Sequence, residues 1–178
     1  SAHGAKPNVI KPFEIFKQTM TADDILCGKA FPGRKIVIIG GGSVGCETAD
    51  YLAPLLNDRF PRNRDVTVLE MAPEIMMAES GAGRSHLVLR MIEKGIHIEC
   101  GAKVTSVTET EIHYEQNGVE HVISDADTLV FANGYHVDPY VEEMLKNAGV
   151  VYHVIGDGLK PANIKEAITQ AWNLAKDL

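Results

Sequence analysis

The sequence predicts an α/β fold, with a three-layer arrangement around a parallel β-sheet and an antiparallel three-stranded β-meander. Three observations carry this prediction. The run Lys35–Ile39 is β-branched and apolar after its first residue, which is typical of a parallel strand covered on both faces. A glycine-rich turn, a helical pattern and a second strand, Val66–Glu70, follow it. Farther along, three short segments alternate apolar and polar residues: Lys103–Val107, Glu111–Tyr114 and Val119–Ile123.

The elements before the glycine-rich turn are expected to be short. Weak periodicity and two prolines, Pro7 and Pro12, predict an irregular segment from Ser1 to Met20. The stretch from Thr21 to Asp24 has the pattern of a capping box, in which side chains at the helix start satisfy backbone N–H groups. A short helix should therefore begin there and stop near Gly28.

Helices and strands then alternate. The helix after the glycine-rich turn should kink or end near Pro54, and the polar stretch Asn57–Asp65 should connect it to the second strand. A helix from Gly83 to Lys94 carries apolar residues at i, i+4 spacing. Gly95 is expected to end this helix before a third strand, Ile96–Glu99.

The last part of the chain combines a hairpin with a return to the α/β pattern. Asn-Gly at 117–118 joins the last two segments of the meander, and this dipeptide between alternating runs is a strong hairpin signal. The remaining predicted elements are a buried strand at Asp127–Ala132, a helix at Tyr140–Asn147, a strand at Val151–Ile155 and a final helix with Pro161 near its first turn.

The composition excludes several classes of protein. The 178 residues include 24 acids against 17 Lys+Arg, and a net charge of −7 disfavours nucleic acid or an anionic membrane surface as a partner. No apolar run approaches the ~20 residues that span a bilayer. Three cysteines without C-x-x-C spacing indicate reduced thiols rather than a disulfide framework or a zinc or iron–sulfur site. These features predict a cytoplasmic α/β protein.

The pattern Gly40-x-Gly42-x-x-Gly45 matches the dinucleotide-binding fingerprint. The first glycine allows a tight turn, the second lets a diphosphate approach the backbone, and the third lets the helix pack close to the strand. Free N–H groups at the start of the helix, at Ser43 and Val44, would hold the phosphates together with the positive end of the helix dipole.

Glu70 ends the second strand, 25 positions after Gly45 against an expected spacing of ~20. The polar stretch between helix and strand accounts for the excess. A carboxylate at this place can accept hydrogen bonds from both ribose hydroxyls and would repel a 2′-phosphate. No arginine follows Glu70 closely, so NADH is favoured over NADPH, although Arg62 and Arg64 precede the strand.

Other reactive side chains have simpler interpretations. Glu47 is interpreted as an acid in the first helical turn, where the helix dipole favours a negative charge. Cys46 is interpreted as a small buried residue that packs against the sheet, rather than as a thiol with a lowered pKa. The seven histidines are scattered and none has metal-ligand spacing. We therefore predict neither catalytic nor metal-binding residues.

The run KIVIIGGGSVGCETADYLA, from Lys35 to Ala53, resembles the NADH domain of flavin-dependent pyridine nucleotide reductases. Four further stretches resemble the C-terminal region of the NADH:flavin oxidoreductase family, which contains 2-enoate reductase and 2,4-dienoyl-CoA reductase. They are Thr21–Gly33, Leu69–Pro73, Ala132–Gly134 and Ile155–Ile168.

This resemblance implies a Rossmann-like fold of the FAD/NAD(P)-binding type, in which an NAD domain is inserted into a split flavin domain. Residues 1–20 would end the first flavin half, 21–131 would be the NAD domain, and 132–178 would be the second flavin half. The first βαβ unit of the flavin domain and an N-terminal barrel with FMN and an iron–sulfur cluster would be missing. The chain is therefore expected to be part of a larger reductase, with an incomplete FAD site.

The resemblance also implies roles for individual residues. Gly156 and Asp157 match the motif that meets the pyrophosphate and ribityl groups of FAD, and Gly134 belongs to the segment that resembles Ala-Thr-Gly. Glu47 would lie near the nicotinamide, in place of the simpler interpretation above.

Three functions remain open at this stage. In the first, the domain binds NADH and passes a hydride to FAD, so that the parent enzyme reduces an enoate or dienoyl-type C=C bond. In the second, it is a non-catalytic dinucleotide-sensing module. The third is a glycine-rich site for S-adenosylmethionine, against which the meander and the Gly156-Asp157 segment argue.

Overall fold

A computed structural model describes residues 4–53, 64–79 and 81–177 of the chain. These residues divide into two units, one from Val9 to Gly134 and a smaller one that combines residues up to Asn8 with residues from Tyr135 onward. The strands are β1 (Ala5–Pro7), β2 (Thr19–Thr21), β3 (Lys35–Ile39), β4 (Asp65–Glu70), β5 (His97–Cys100), β6 (Ala102–Val107), β7 (Ile112–Gln116), β8 (Val119–Ile123), β9 (Thr128–Phe131) and β10 (Tyr135–Val137). The α-helices are α1 (Ala22–Leu26), α2 (Ser43–Leu52), α3 (Ala82–Glu93), α4 (Tyr140–Asn147) and α5 (Ile164–Asp177).

A five-stranded parallel sheet forms the centre of the larger unit. Its strand order is β2-β9-β3-β4-β5, so β3 lies in the middle and carries the glycine-rich turn at its carboxyl end. β6, β7 and β8 form a separate antiparallel sheet, the predicted meander. The predicted combination of a parallel sheet and an antiparallel three-stranded meander is confirmed.

The two faces of the parallel sheet are covered by different layers. Ile36 and Ile38 pack into a core with residues of α1, α2 and α3. Val37 and Ile39 pack into a second core, which includes residues of the meander such as Ile112. Successive side chains of a strand point to opposite faces, so a strand between two layers must be apolar at every position. This explains the unbroken apolar run in β3.

An ion-pair network joins α2 to α3. The carboxylate of Asp50 lies 2.8 Å from Nε of Arg90 and 3.0 Å from Nζ of Lys94. Burial by itself raises the pKa of Asp50, but hydrogen bonds from Arg90 and Lys94 outweigh burial and leave the pKa below its ordinary value. The network fixes the neighbouring helices on their shared face of the sheet.

Local signals in the sequence correctly predict several elements. Thr21 and Asp24 form the expected capping box, with the Thr21 side chain accepting from the Asp24 N–H. Asn117 and Gly118 both have positive φ, 53° and 76°, as a tight hairpin turn requires. The bounds of α4 match the helix predicted at Tyr140–Asn147.

Other local predictions are wrong. The N-terminal segment is not irregular throughout, since β1 pairs antiparallel with β10 and β2 pairs parallel with β9. Residues 151–155 form no strand despite their apolar pattern, because a strand needs a paired neighbour. The final helix begins at Ile164, three residues after Pro161. By contrast, helix α2 ends at Leu52, close to Pro54 as predicted, and the predicted polar connection lies almost entirely outside the described residues.

Within the described ranges, no helix is both long and apolar enough to cross a membrane. The same residues contain no cluster of three or more His, Cys, Asp or Glu side chains that could hold a metal ion.

Candidate functional site

The three glycines of the turn between β3 and α2 have different structural roles. Gly40 has φ +107°, and a Cβ at this position would collide with the carbonyl oxygen of Ala132. A Cβ at Gly45 would collide with the carbonyl oxygen of Gly40. By contrast, Gly42 has an ordinary φ of −71°, and a Cβ there would meet nothing within 4 Å. The fold therefore requires Gly40 and Gly45, whereas Gly42 leaves open space beside the backbone.

The N-terminus of α2 faces this open space. Gly42 is the N-cap residue, and no side-chain hydrogen bond caps the helix. The first N–H groups of a helix have no acceptor within the helix and carry a partial positive charge. Ser43 and Val44 open the helix, so their N–H groups are suited to bind an anion.

Backbone hydrogen bonds hold the carboxylate of Glu70 beside the turn. One oxygen accepts from the N–H of Gly41 at 2.5 Å, and the other accepts from the N–H of Ala72 at 2.7 Å. Glu70 is half-buried at the carboxyl end of β4. Each carboxylate oxygen can accept more than one hydrogen bond, so Glu70 can still accept from hydroxyl groups of a ligand.

A groove of about 490 Å³ joins these features within the larger unit. Four residues predicted for the site line it: Gly40, Gly42, Glu70 and Gly134. The other lining residues are Ile10, Phe13, Ile39, Leu69, Met71, Ala102, Lys103, Val104, Ala132 and Asn133.

Lys103 is a residue of the groove that sequence reasoning missed. It is exposed in β6, shortly after the carboxyl end of β5. Ligands of open α/β sheets bind outside the carboxyl ends of parallel strands, and that rule could have indicated Lys103. Among the described lining residues Glu70 is the acid and Lys103 the base, whereas the other members are apolar, amide or glycine. The groove thus offers a ligand one carboxylate, one ammonium group and otherwise apolar, amide or backbone surface.

The remaining predicted residues of α2 have distinct environments. The hydroxyl of Ser43 donates to the carboxylate of Glu79 at 2.9 Å. Val44 is half-buried, and its carbonyl oxygen accepts from the hydroxyl of Thr48 at 2.7 Å. Glu47 is exposed and lies in the second turn of the helix, not in the first.

Cys46 is fully buried, with Sγ 3.4 Å from the carbonyl oxygen of Gly41. Burial, together with the nearby charge of Glu70, raises the pKa of its thiol to about 12. Full burial and a raised thiol pKa both agree with a packing role for Cys46.

The other two predicted residues, Gly156 and Asp157, belong to the smaller unit. Gly156 has φ +60°, and its N–H donates to Oε1 of Gln170 in α5 at 2.7 Å. Asp157 is exposed and accepts from the N–H of Ala162 at 3.2 Å. A Cβ at Gly4 would collide with the backbone of Gly158, so the start and the end of this unit approach closely here.

Asp157 also lines a second groove of about 410 Å³ that lies entirely within the smaller unit. Its other lining residues are Gly4, Ala5, Tyr135, Ile155, Gly158, Ala162, Asn163, Ile164 and Ala167. The structure thus places Gly156 and Asp157 together, in a different unit from the glycine-rich turn.

Comparison with known proteins gives one family. Residues 2–156 match the family model described as pyridine nucleotide-disulphide oxidoreductase. The chain is 30% identical to cinnamate reductase of Clostridium sporogenes, over 99% of this chain and 26% of the relative. It is also 30% identical to bilirubin reductase of Mediterraneibacter gnavus, over 96% of this chain and 26% of that protein.

Solved structures have the same fold. A 2-naphthoyl-CoA reductase in complex with 2-naphthoyl-CoA superposes with a TM-score of 0.78 and 27% identity, over 93% of this chain and 24% of that one. The chain therefore spans about a quarter of the length of these relatives.

Proposed function

Because the chain belongs to the pyridine nucleotide-disulphide oxidoreductase family, we propose that it is the NADH-binding part of a larger flavin-dependent reductase. The family uses NAD(P)H and FAD, so the cofactors expected from the sequence are confirmed at the level of the family. The observation that carries the proposal is the open space at Gly42 beside the anchored carboxylate of Glu70, both in one groove.

The residues of the groove, together with the adjoining start of α2, fit a dinucleotide. The N–H groups of Ser43 and Val44 would bind the diphosphate. Gly42 has no side chain, so the diphosphate has space to approach these groups. Glu70 would accept hydrogen bonds from the ribose hydroxyls, and its charge would disfavour the 2′-phosphate of NADPH. Lys103 lines the same groove and moderates this preference, so we expect NADH to bind more tightly without NADPH being excluded.

In the whole protein, the proposed reaction begins with bound NADH. NADH held by Gly42, Ser43 and Glu70 would supply a hydride from its C4 atom to the FAD of the parent protein. The part of this chain would be to bind and orient the dinucleotide, with Glu47 close to the nicotinamide. Electrons would then reduce an enoate or dienoyl-type C=C bond at a site that this chain does not contain. The resemblance to cinnamate reductase supports this substrate class.

The division of the chain follows from the same proposal. Residues 21–131 would be the NAD domain, and residues 1–20 and 132–178 would belong to the flavin domain, with Gly156 and Asp157 toward FAD. The chain covers about a quarter of its relatives, which supports a further region in the parent protein, proposed to be a barrel with FMN and an iron–sulfur cluster. Alone, the chain should bind FAD weakly and should not turn over.

Calorimetric titration of the chain with NADH and NADPH tests the proposal. We expect saturable binding of both, with a lower Kd for NADH. If neither binds while circular dichroism shows an intact fold, the proposal is refuted.

Two other functions make different predictions. A dinucleotide-sensing module would also bind NADH but would change its oligomeric state on binding, which light scattering detects. A site for S-adenosylmethionine would bind that compound in competition with NADH.

A further inference from the structure

The loop after β4, residues 71–79, is attached to the glycine-rich turn. The N–H of Met76 donates to the carbonyl oxygen of Gly41 at 2.7 Å. Ile75 is buried so close to Gly41 that a Cβ there would lie 2.7 Å from its side chain. Met76 has φ 52°, an uncommon conformation for a residue other than glycine. These contacts hold the loop in a defined place beside the N-terminus of α2.

Glu79, at the end of this loop, places its carboxylate against the first residue of α2. Its Oε1 accepts from the hydroxyl of Ser43 at 2.9 Å, and its N–H donates to the carbonyl oxygen of Met76 at 3.0 Å. An acid near a helix N-terminus is favoured by the helix dipole when no other anion is present. A ligand phosphate bound at this helix end would face the same carboxylate.

The two anions compete in two ways. The hydroxyl of Ser43 has one hydrogen to donate, so it can serve either Glu79 or a ligand oxygen. In addition, like charges a few ångströms apart repel each other, and the repulsion is weakened by salt.

We propose that Glu79 lowers the affinity of the α2 N-terminus for a diphosphate. This inference rests on the proposed function, because it assumes that a dinucleotide binds at this turn. In the free protein, Glu79 accepts the hydrogen bond from the Ser43 hydroxyl. In the complex, its negative charge repels the diphosphate. The nucleotide is therefore held less tightly than the glycine-rich turn alone would hold it, which favours its release.

The test compares Glu79→Gln with Glu93→Gln by calorimetric titration with NADH. Glu93 is the last residue of α3 and lies near the start of β5, at the opposite edge of the sheet from the glycine-rich turn. Glu93→Gln thus removes one negative charge, as Glu79→Gln does, but far from the glycine-rich turn. We expect Glu79→Gln to lower the Kd for NADH about three- to tenfold at low salt and less at high salt. Glu93→Gln should leave it nearly unchanged.

Two further measurements identify the cause. Adenosine has no phosphate, so Glu79→Gln should not change its binding. A glutamine amide oxygen accepts from the Ser43 hydroxyl more weakly than a carboxylate does, so in a Ser43→Ala background, where that difference is absent, Glu79→Gln should improve NADH binding by a smaller factor.

The outcomes distinguish the two claims. If the wild-type chain binds NADH and Glu79→Gln does not tighten it, the role of Glu79 is refuted and the proposed function stands. If the wild-type chain and all variants are folded and bind no NADH, both are overturned.

Discussion

Replacing Gly42 by alanine should weaken NADH binding while leaving the fold intact. Gly42 has φ −71° and ψ −176°, which alanine adopts without strain, and its added methyl group would contact no described atom within 4 Å. Alanine is a poorer N-cap than glycine, but it also lowers the entropy of the unfolded chain by a similar free energy. The free energy of unfolding should therefore change by less than about 0.5 kcal/mol.

The effect on binding should be much larger. The methyl group would occupy the space through which a phosphate reaches the N–H groups of α2. Loss of one hydrogen bond to a charged group weakens binding by about 2 kcal/mol. This corresponds to a roughly thirtyfold higher Kd, measurable by calorimetric titration.

Gly45→Ala provides the matched contrast. Its methyl group would collide with the carbonyl oxygen of Gly40, so overpacking should lower the free energy of unfolding by about 1–3 kcal/mol. Denaturant unfolding measures both variants. If Gly42→Ala binds NADH as tightly as the wild type, the diphosphate does not bind at this turn and the reasoning fails.

Three further predictions concern charge and burial. Glu70→Gln keeps one acceptor oxygen for two backbone N–H donors, so denaturant unfolding should show a loss of about 1–2 kcal/mol. Titration should show a smaller preference for NADH over NADPH, and an unchanged preference would contradict the role of Glu70. Asp50→Asn should lower the free energy of unfolding by about 1 kcal/mol at neutral pH. The pKa of Asp50 is lowered in the folded state, so its ionised form stabilises the fold above the ordinary carboxyl pKa. This stabilisation is lost as the pH falls through the lowered pKa, and the free energies of unfolding of wild type and variant should therefore converge in acid. Iodoacetamide at pH 8 should label exposed Cys27 quickly and buried Cys46 only after unfolding, which peptide mass spectrometry detects. Rapid labelling of native Cys46 would contradict its burial.

Much of the fold could be predicted because its signals are local. The apolar run of β3 and the Asn-Gly turn of the meander each report on a few neighbouring residues. The spacing of Gly40, Gly42 and Gly45 is local in the same sense, and two of these glycines, Gly40 and Gly42, line the groove.

Signals that depend on distant partners failed or were missing. The pattern of Val151–Ile155 predicts a strand, but no described neighbour pairs with it. The short strands β1 and β2 carry almost no periodicity, and pairing with β10 and β9 creates them. Lys103 belongs to no local motif, and only the position of β6 beyond the carboxyl end of β5 brings it to the groove.

The sequence by itself determined the order of the helices and strands from α1 to β9, the glycine-rich turn and the acid at the end of β4. Backbone preferences and the alternation of apolar residues act over a few residues, so they can be read without coordinates. Only the tertiary structure decided that Gly41 holds the carboxylate of Glu70 and that Ser43 binds Glu79. These contacts join residues 29 and 36 positions apart, and they exist because the parallel pairing of β3 with β4 brings both carboxyl ends to the same edge of the sheet.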